Sequence, residues 1–261
     1  MNIQIDLGKC IRCGRCAKVC TMGVVTMREG APSIAQEERC MRCHHCYAAC
    51  PVGALAMDGL DPAAQKPSGA ASPEAVLALL EGRYSCREYR PDQVDMAKIA
   101  LLRRALNAAP TGCNARATHY VILDDAAKMQ AFREMIARKF DEVDPEAAKA
   151  EPFLRAVKLM MKRGLDPVLR GAPHLVVAGF DEGAPTGLVD CVIGLSHFEV
   201  VAQSLGLGTC WCGFIPLSVS KVWPDMLSYL GLPENCKLGY AMLFGEKAFD
   251  YARPVSPNPL K

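Results

Sequence analysis

The feature that most constrains the fold is a cysteine pattern that occurs twice near the start of the chain. Eight of the 14 cysteines fall within the first 50 residues, where they form two copies of C-x2-C-x2-C-x3-C over 10–20 and 40–50. At an offset of 30 residues the copies also share Arg12/Arg42 and Gly23/Gly53. The sequence therefore predicts a duplicated module built around its cysteines.

This spacing is typical of cysteines that bind [4Fe–4S] clusters. Three closely spaced thiolates can hold three corners of one iron–sulfur cube, and the fourth cysteine of the run reaches the other cube. The prediction assigns the first cluster to Cys10, Cys13, Cys16 and Cys50, and the second to Cys40, Cys43, Cys46 and Cys20. Zinc sites usually use two C-x2-C pairs separated by a spacer, so two matched quartets fit zinc poorly. Over about residues 1–60 the chain resembles bacterial ferredoxins with two [4Fe–4S] clusters.

Composition and charge narrow the class of protein. Hydrophobic residues make up 51% of the chain and charged residues 22%, which excludes disorder as the main state. A formal charge of +2 does not indicate a nucleic-acid or membrane partner. The N-terminus lacks the pattern of a secretory signal, and no apolar stretch approaches the ~18 residues of a membrane span. We therefore expect a cytoplasmic protein, in which cysteines are metal ligands or free thiols.

The rest of the chain indicates a second, larger domain. Residues 61–73 contain three prolines among small residues and are typical of a linker, so we expect domains over 1–60 and 74–261. Hydrophobic periodicity predicts helices over 74–81, 94–108, 125–140, 146–162 and 187–205, and strands over 119–123, 175–180, 209–214 and 238–244. This pattern favours an α/β or α+β domain with a central sheet. The helix over 187–205 is apolar nearly all round, which places it at the domain centre or at a subunit interface.

Four segments of the larger domain carry polar residues suited to a bound cofactor. The segment Arg83-Tyr-Ser-Cys-Arg87 offers arginines and a serine to a phosphate, although a solvated basic turn is the alternative. It is followed by Ala109-Pro-Thr-Gly-Cys-Asn114, by Gly206-Leu-Gly-Thr-Cys-Trp-Cys-Gly-Phe214 and by Tyr251-Ala-Arg-Pro254. In this order the segments resemble those of the FMN-dependent nitroreductase family, whose members carry R-x-S-x-R, P-S-x-x-N-x-Q-P, G-x-G-x-x-W-x-G-F and a basic residue before proline. The resemblance covers roughly residues 74–261.

The resemblance implies an α+β fold with a central, mostly antiparallel sheet flanked by helices. It also implies an intertwined homodimer with one FMN per subunit at the interface, and the helix over 187–205 as the dimer core. Carried over by motif, the FMN-binding residues would be Arg83, Tyr84, Ser85, Arg87, Pro110, Thr111, Asn114, Arg116, Cys212, Gly213 and Arg253. Of these, the arginines at 83, 87 and 253 and the serine would hold the phosphate. The Asn114 amide would form a hydrogen bond with the pyrimidine edge of the isoalloxazine ring of FMN. The backbone at 212–213 would face the N5 side of that ring.

Departures from the family pattern leave some roles open. Arg116 stands where the family often has glutamine, so it either favours an anionic reduced flavin or forms a surface salt bridge. Cys113 and Cys212 are candidate catalytic thiols, with packing as small hydrophobic side chains as the alternative. Along an extended segment Cys210 and Cys212 should point to opposite faces. The family's variable middle region makes Phe153, Met160 and Met161 candidates for a lid over the substrate.

Together the two domains predict an oxidoreductase. A low-potential donor such as ferredoxin or flavodoxin would supply electrons through the clusters to FMN, and a hydride would pass to a small organic acceptor such as a nitroaromatic, a quinone or an activated ene. Three alternatives remain open. Electrons could flow in reverse and reduce ferredoxin, the chain could be a dehalogenase or ene-reductase variant, or it could be a non-catalytic redox carrier or sensor.

Overall fold

The computed structural model describes residues 2–64, 69–146, 151–253 and 255. By their contacts these residues divide into two compact units. The first contains the described residues up to Ala71 together with Cys113–Ala115, and the second contains those of 72–112 and from Arg116 onwards. Parts of the expected linker (65–68) and of the helix expected over 146–162 (147–150) lie outside the described residues. Among the described helices, none combines the length and apolarity needed to cross a membrane.

The first unit pairs the two copies of the cysteine repeat through its strands. Its elements are β1 (Ile3–Ile5), α1 (Arg15–Lys18), β2 (Val25–Arg28), β3 (Ala31–Ile34), α2 (His45–Ala48) and β4 (Leu55–Met57). Antiparallel pairs form between β1 and β4 and between β2 and β3. In each pair, a strand that precedes the cysteines of one copy lies beside a strand that follows the cysteines of the other. Neither copy therefore completes its own sheet.

The backbone of the repeat is conserved between the copies even where the residue is not. The residue before α1 is Gly14, with φ of 71°, and the residue before α2 is His44, with φ of 59°. A left-handed conformation carries no side-chain clash for glycine but strains most other residues. The aliphatic core of this unit is small, with Val25, Leu55 and Met57 buried among the cysteines. A core of this size needs a metal or another cross-link for stability.

The second unit contains a four-stranded sheet flanked by helices. Its elements are α3 (Pro73–Gly82), α4 (Met96–Asn107), β5 (Thr118–Leu123), α5 (Ala126–Glu142), α6 (Pro152–Lys162), β6 (His174–Asp181), α7 (Gly187–Ser204), β7 (Leu207–Trp211), α8 (Phe214–Lys221), α9 (Met226–Tyr229) and β8 (Cys236–Glu246). The strand order is β5-β6-β8-β7, and each neighbouring pair is antiparallel. This confirms the α+β class with a mostly antiparallel sheet.

The sheet is buried on both faces because its strands alternate between two hydrophobic clusters. On β6, Leu175 and Val177 pack into the cluster that includes residues of α5 and α6, whereas Val176 and Ala178 pack into the cluster formed with α4 and α7. The period of two along a strand explains this division. It leaves the carboxyl end of β7 and the start of α8 at the edge of the first cluster, where the candidate site lies.

Two expectations from the sequence are wrong in this region. The strand expected over 209–214 ends at Trp211, and Phe214 begins a helix that the sequence analysis missed. As a result Cys210 and Cys212 do not point to opposite faces, since both pack in the same cluster. The helix α8 carries a proline at position 216 and has no side-chain hydrogen bond at its N-cap, so it lacked the usual start signal.

Candidate functional site

Four of the eight cysteines of the first unit accept backbone hydrogen bonds, at matching positions in the two copies. Four N–H groups donate to their Sγ atoms: Arg12 to Cys10, Val25 to Cys20 and Arg42 to Cys40 at 3.4 Å each, and Ala54 to Cys50 at 3.1 Å. Such bonds stabilise a thiolate and are among the factors that set the reduction potential of an iron–sulfur cluster. The chain thus prepares these sulfurs for the charged form that binds iron.

The same cysteines fall into two electrostatic neighbourhoods. Burial first, and then the thiolates of Cys20, Cys43 and Cys40, raise the pKa of Cys46 to about 11. The pKa of Cys16 is also raised, first by burial and further by Cys50 and Cys10. The neighbours of Cys46 are the other three members of its predicted ligand set, and those of Cys16 are two of its three predicted partners. Bound iron would offset the repulsion in each group.

The spacing of these thiols also bears on the kind of metal group. Within the part of the chain that the structure describes, no three His, Cys, Asp or Glu side chains converge as a site for a single metal ion. A cube of four irons and four sulfides holds its thiolates farther apart than one ion does. The donor set, eight cysteines in two groups, fits two clusters, and the individual ligand assignments stay a prediction.

In the second unit, residues 83–87 (the arginine–serine segment) are joined to the sheet by an isolated bridge at Ser85. Ser85 bridges to Thr209 of β7, and the N–H of Cys86 donates to the carbonyl of Thr209 at 2.7 Å. Because side chains alternate along an extended segment, Ser85 and Arg87 share one side while Cys86 is buried on the other. This arrangement presents the hydroxyl and the guanidinium together at the end of β7.

Four predicted FMN-binding residues line one cleft of about 510 Å³. They are Ser85, Arg87, Cys212 and Gly213. The volume falls within the roughly 300–1,000 Å³ of small-molecule sites. Arg170, which the sequence analysis missed, also lines the cleft, and its left-handed backbone has φ of 53°. Among the described residues neither Arg87 nor Arg170 forms an ion pair, so two guanidinium groups face the cleft without a carboxylate partner.

Aromatic side chains form much of the remaining wall. Phe153, Trp211 and Phe214 line the cleft, and the rings of Phe153 and Phe214 stack with centroids 5.0 Å apart. Of the three residues expected to cover a substrate, Phe153 lies here, whereas Met160 and Met161 are not among the lining residues. Arg170 and the phenylalanine stack could not be found from a local motif, because they come from separate segments.

Arg83 makes a different contact from its neighbours in the motif. Its Nε lies 3.2 Å from Oε1 of Glu199 on α7, without hydrogen-bond geometry. Glu199 is 8% exposed and also accepts hydrogen bonds from Thr209 Oγ1 and Trp211 Nε1, each at 3.1 Å. This carboxylate joins the arginine segment, β7 and α7 in one network. Its role has no signature in the sequence, because Glu199 sits in an otherwise apolar helix.

The C-terminal segment reaches the same region through Tyr84. The Tyr84 ring stacks on Tyr251 with centroids 3.9 Å apart, and the Tyr84 hydroxyl donates to the carbonyl of Phe249 at 3.4 Å. Arg253 is exposed two residues further on. The stacking brings the segment that carries Arg253 beside the arginine–serine motif, and the phosphate contact predicted for Arg253 stays a prediction.

The turn after α4 is held by its own polar groups. The Arg116 N–H donates to Thr111 Oγ1 at 3.1 Å, and Arg116 Nη1 donates to the carbonyls of Asn107 and Ala109 at 3.2 Å each. Lysine and arginine commonly satisfy the last carbonyls of a helix in this way. Pro110 is exposed in the same turn. These contacts give Arg116 a positioning role at the end of α4.

The tip of this turn groups with the first unit. Asn114 Nδ2 donates to the carbonyls of Met41 and Arg42 at 2.9 and 3.0 Å. Cys113 is exposed, with φ of 52°. The flavin contact predicted for Asn114 and the catalytic role considered for Cys113 stay predictions.

The second candidate thiol, Cys212, is held in its neutral form. Burial raises the pKa of Cys212 to about 12, and its Sγ–H donates to the carbonyl of Val168 at 3.3 Å. The thiolate is the nucleophilic form of cysteine, so this environment favours packing over a covalent role.

Comparisons with known proteins identify a family for each of the two units. Residues 80–246 match the family model described as the nitroreductase family, and residues 2–66 match the 4Fe-4S dicluster domain. The first unit is thus a dicluster domain for two [4Fe–4S] clusters, and the two resemblances drawn from the sequence are confirmed.

Relatives of the larger unit are distant in sequence. A curated protein of Archaeoglobus fulgidus, provisionally named NADH dehydrogenase/NAD(P)H nitroreductase, is 24% identical over 162 residues, which cover 62% of this chain and 79% of that protein. A nitroreductase with bound FMN from Bacteroides fragilis is 23% identical, with a TM-score of 0.57 over 71% of this chain and 94% of that one. One from Desulfitobacterium hafniense, also with FMN, is 23% identical, with a TM-score of 0.56 over 70% and 94%. The solved structures establish the shared fold.

Proposed function

The chain belongs to the nitroreductase family, and on that premise we propose that it is an FMN-dependent oxidoreductase fed with electrons by its own clusters. The observation that carries the proposal is the cleft at the end of β7, where a serine and two unpaired arginines meet an aromatic wall. A dicluster domain in the same chain supplies a source of single electrons at high effective concentration.

The residues of the cleft fit the two ends of FMN. Ser85, Arg87 and Arg170 would bind the phosphate, because guanidinium groups form strong charge-assisted hydrogen bonds to phosphate oxygens. The wall formed by Trp211 and the Phe153–Phe214 stack would pack against the ring system and exclude water. Bound clusters transfer electrons singly, whereas bound FMN accepts them singly and gives up two as a hydride.

The same wall favours a small planar acceptor. Aromatic side chains pack well on flat rings, so nitroaromatics and quinones suit the cleft better than bulky aliphatic substrates. An electron carrier or sensor needs no substrate cleft, and the space beside the aromatic wall therefore supports an enzyme. Reverse electron flow would use the same residues, and the reduction potentials of the donor and acceptor decide between the two directions.

A second copy of the chain is the expected partner. On α7, Leu188, Val189 and Val192 are 52%, 57% and 38% exposed, and α3 exposes Val76, Leu77 and Leu80 at 41%, 51% and 48%. Exposed apolar side chains of this size on two helices are typical of a surface that a partner covers. A homodimer through α7 would bury them. A monomer at micromolar concentration in analytical ultracentrifugation would contradict this part of the proposal.

Binding of FMN offers a direct test of the site. Arg87→Ala should weaken FMN binding by about tenfold to 150-fold, since a hydrogen bond to a charged group contributes about 1.5–3 kcal/mol. The matched control is Arg90→Ala, which removes an exposed arginine whose Nε pairs with Asp92 at 2.7 Å. Flavin fluorescence during titration of the deflavinated protein measures both affinities. Equal affinities for the two variants would place the phosphate elsewhere.

Turnover tests the reaction itself. Anaerobic assays of the cluster-loaded protein against nitro, quinone, enone and halogenated acceptors should show two-electron reduction, with a low-potential dye reducing the flavin faster than NADPH. If NADPH reduced the flavin at least as fast in a variant without the cysteine quartets, electron entry through the clusters would be wrong.

A further inference from the structure

We propose that the face of the first unit around Cys13 is the docking surface for a small, acidic, one-electron carrier protein. The inference rests on the proposed function, because it names the donor that would feed the clusters. It adds which cluster receives the electron, which side chains recognise the partner, and the charge that the partner must have.

The charge along the first cysteine copy is of one sign. Between residues 7 and 28 the chain has no Asp or Glu, and it has five cations. They are Lys9, Arg12, Arg15, Lys18 and Arg28, and all five are exposed. Of these five cations, Lys9 is the one that forms an ion pair with another described residue, Asp6, at 3.6 Å. The remaining charges are available to a partner.

The second copy provides an internal comparison, because its backbone is the same and its charges are not. At the offset of 30 residues, Arg15 is replaced by His45, Lys18 by Ala48 and Arg28 by Asp58. The copy does retain Arg42 opposite Arg12, but its Nη2 lies 3.1 Å from Asp58 Oδ2. Cluster binding therefore does not require cations at the positions of Arg15, Lys18 and Arg28, since the second copy places its cysteines on the same backbone without them.

The cations flank the cysteine that lies nearest to solvent. Of the eight predicted ligands, Cys13 is the one that is exposed, and Cys46 of the second copy is buried. Arg12 immediately precedes Cys13, while Arg15 and Lys18 are three residues apart on α1 and so share a face of that helix. Electron transfer slows steeply with distance, so a donor gains most by docking where the cluster edge is exposed.

Apolar side chains complete the surface. Leu7 and Ile11 are each 60% exposed, and Val19 is 36% exposed. Apolar contacts surrounded by charged groups are the usual composition of a transient interface. A cluster with its four thiolates carries roughly two negative charges, which would repel an acidic carrier unless cations surrounded it. The basic face supplies that attraction and raises the rate of encounter.

The electron balance of the docking step is simple. Each encounter moves one electron from the reduced carrier to the first cluster, and no bond forms or breaks. Two carrier molecules are therefore oxidised for each two-electron reduction of the acceptor, and the protons come from solvent.

The test uses the full-length protein loaded with clusters and FMN, and a purified acidic ferredoxin as the probe. We expect Arg15→Glu/Lys18→Glu to lower the second-order rate constant for reduction by ferredoxin about tenfold or more at low salt. The matched control is Arg138→Glu/Arg155→Glu, which makes the same charge change at exposed residues of α5 and α6. The control should retain the wild-type rate, and the wild-type rate should fall as salt is added.

Reduction by a small viologen dye separates docking from the relay. Iron content and the rate with the dye should be unchanged in Arg15→Glu/Lys18→Glu. If this variant loses iron, the neutral pair Arg15→Gln/Lys18→Gln takes its place. A wild-type rate with ferredoxin in the iron-loaded variant, or an equal loss in the control, would overturn the proposal. A dye that reduces the clusters but not the flavin would refute the proposed function instead, and the ferredoxin rate onto the clusters would still test the docking surface.

Discussion

Replacing Glu199 with glutamine tests the buried network that joins the arginine segment to α7. The Glu199 carboxylate accepts from Thr209 Oγ1 and Trp211 Nε1 and pairs with Arg83, whose side chain is 34% exposed. Glutamine keeps the shape of the side chain but replaces one acceptor oxygen with an NH2 donor. In one orientation this donor faces the Trp211 N–H, and in the other it faces Arg83. In the first orientation the Trp211 N–H loses its acceptor, and in the second an N–H of the glutamine amide points at the guanidinium without an acceptor.

The expected loss of stability follows from this one unpaired donor. A buried donor without a partner costs about 1–3 kcal/mol, and the loss of the ion pair adds little because Arg83 is partly solvated. We expect Glu199→Gln to lower the free energy of unfolding of the second unit by about 1–3 kcal/mol. The control is Glu182→Gln, which removes an exposed carboxylate paired with Lys237 and should leave stability unchanged within error.

Tryptophan fluorescence during urea unfolding measures this difference selectively. The chain has two tryptophans, Trp211 and Trp223, and both lie in the second unit, so the first unit does not contribute to the signal. Holoprotein with excess FMN should be used for all variants. A change below about 0.5 kcal/mol for Glu199→Gln, the size of an ordinary surface substitution, would refute the idea that the network stabilises the fold.

Three further perturbations follow from the structure. Gly14→Ala should weaken cluster retention, because alanine at φ of 71° costs about 1–2 kcal/mol. Gly14→Asn should weaken it less, since asparagine tolerates this conformation better, and iron content after mild chelation compares the two variants. Cys20→Ser should remove iron chiefly from the second cluster, since Cys20 neighbours Cys46. Electron paramagnetic resonance of the reduced protein measures which cluster is lost, and loss of the first cluster would show that Cys20 does not bind the second. Burial lowers the pKa of His174 below its ordinary 6.5. The contribution of the neutral His174 ring to the free energy of unfolding is therefore complete above pH 6.5, and it is lost as pH falls from 6.5 towards the lowered pKa of the folded protein. Unfolding between pH 5 and pH 8 should show a pH slope reduced by up to about one proton in His174→Phe, and an unchanged slope would contradict this.

Much of the fold could be predicted because its signals are local. The cysteine repeat specifies its own spacing, and the run of apolar residues in β6 alternates between the two faces of a buried sheet. The helix α3 was predicted to within a residue at each end, since Ser72 accepts from the Ala75 N–H and Pro73 occupies the first turn.

The parts that sequence reasoning missed depend on contacts between distant segments. Arg170 has no motif of its own and enters the cleft only because the loop before β6 reaches the end of β7. Glu199 reads as an isolated charge in an apolar helix until the structure places Thr209 and Trp211 beside it. The error at Phe214 has a local cause, since an apolar run with β-branched residues is compatible with a strand or a short helix.

The exchanged strand pairing of the first unit has a consequence for biosynthesis. The partner of β1, at residues 3–5, is β4, at residues 55–57. A ribosome releases a chain from its N-terminal side, so β1 emerges long before the strand that completes its sheet. β1 must therefore stay unpaired until β4, some fifty residues later in the chain, is outside the exit tunnel. With the ligand sets predicted from the sequence, iron–sulfur delivery during translation would meet two half-built sites rather than one finished site followed by another.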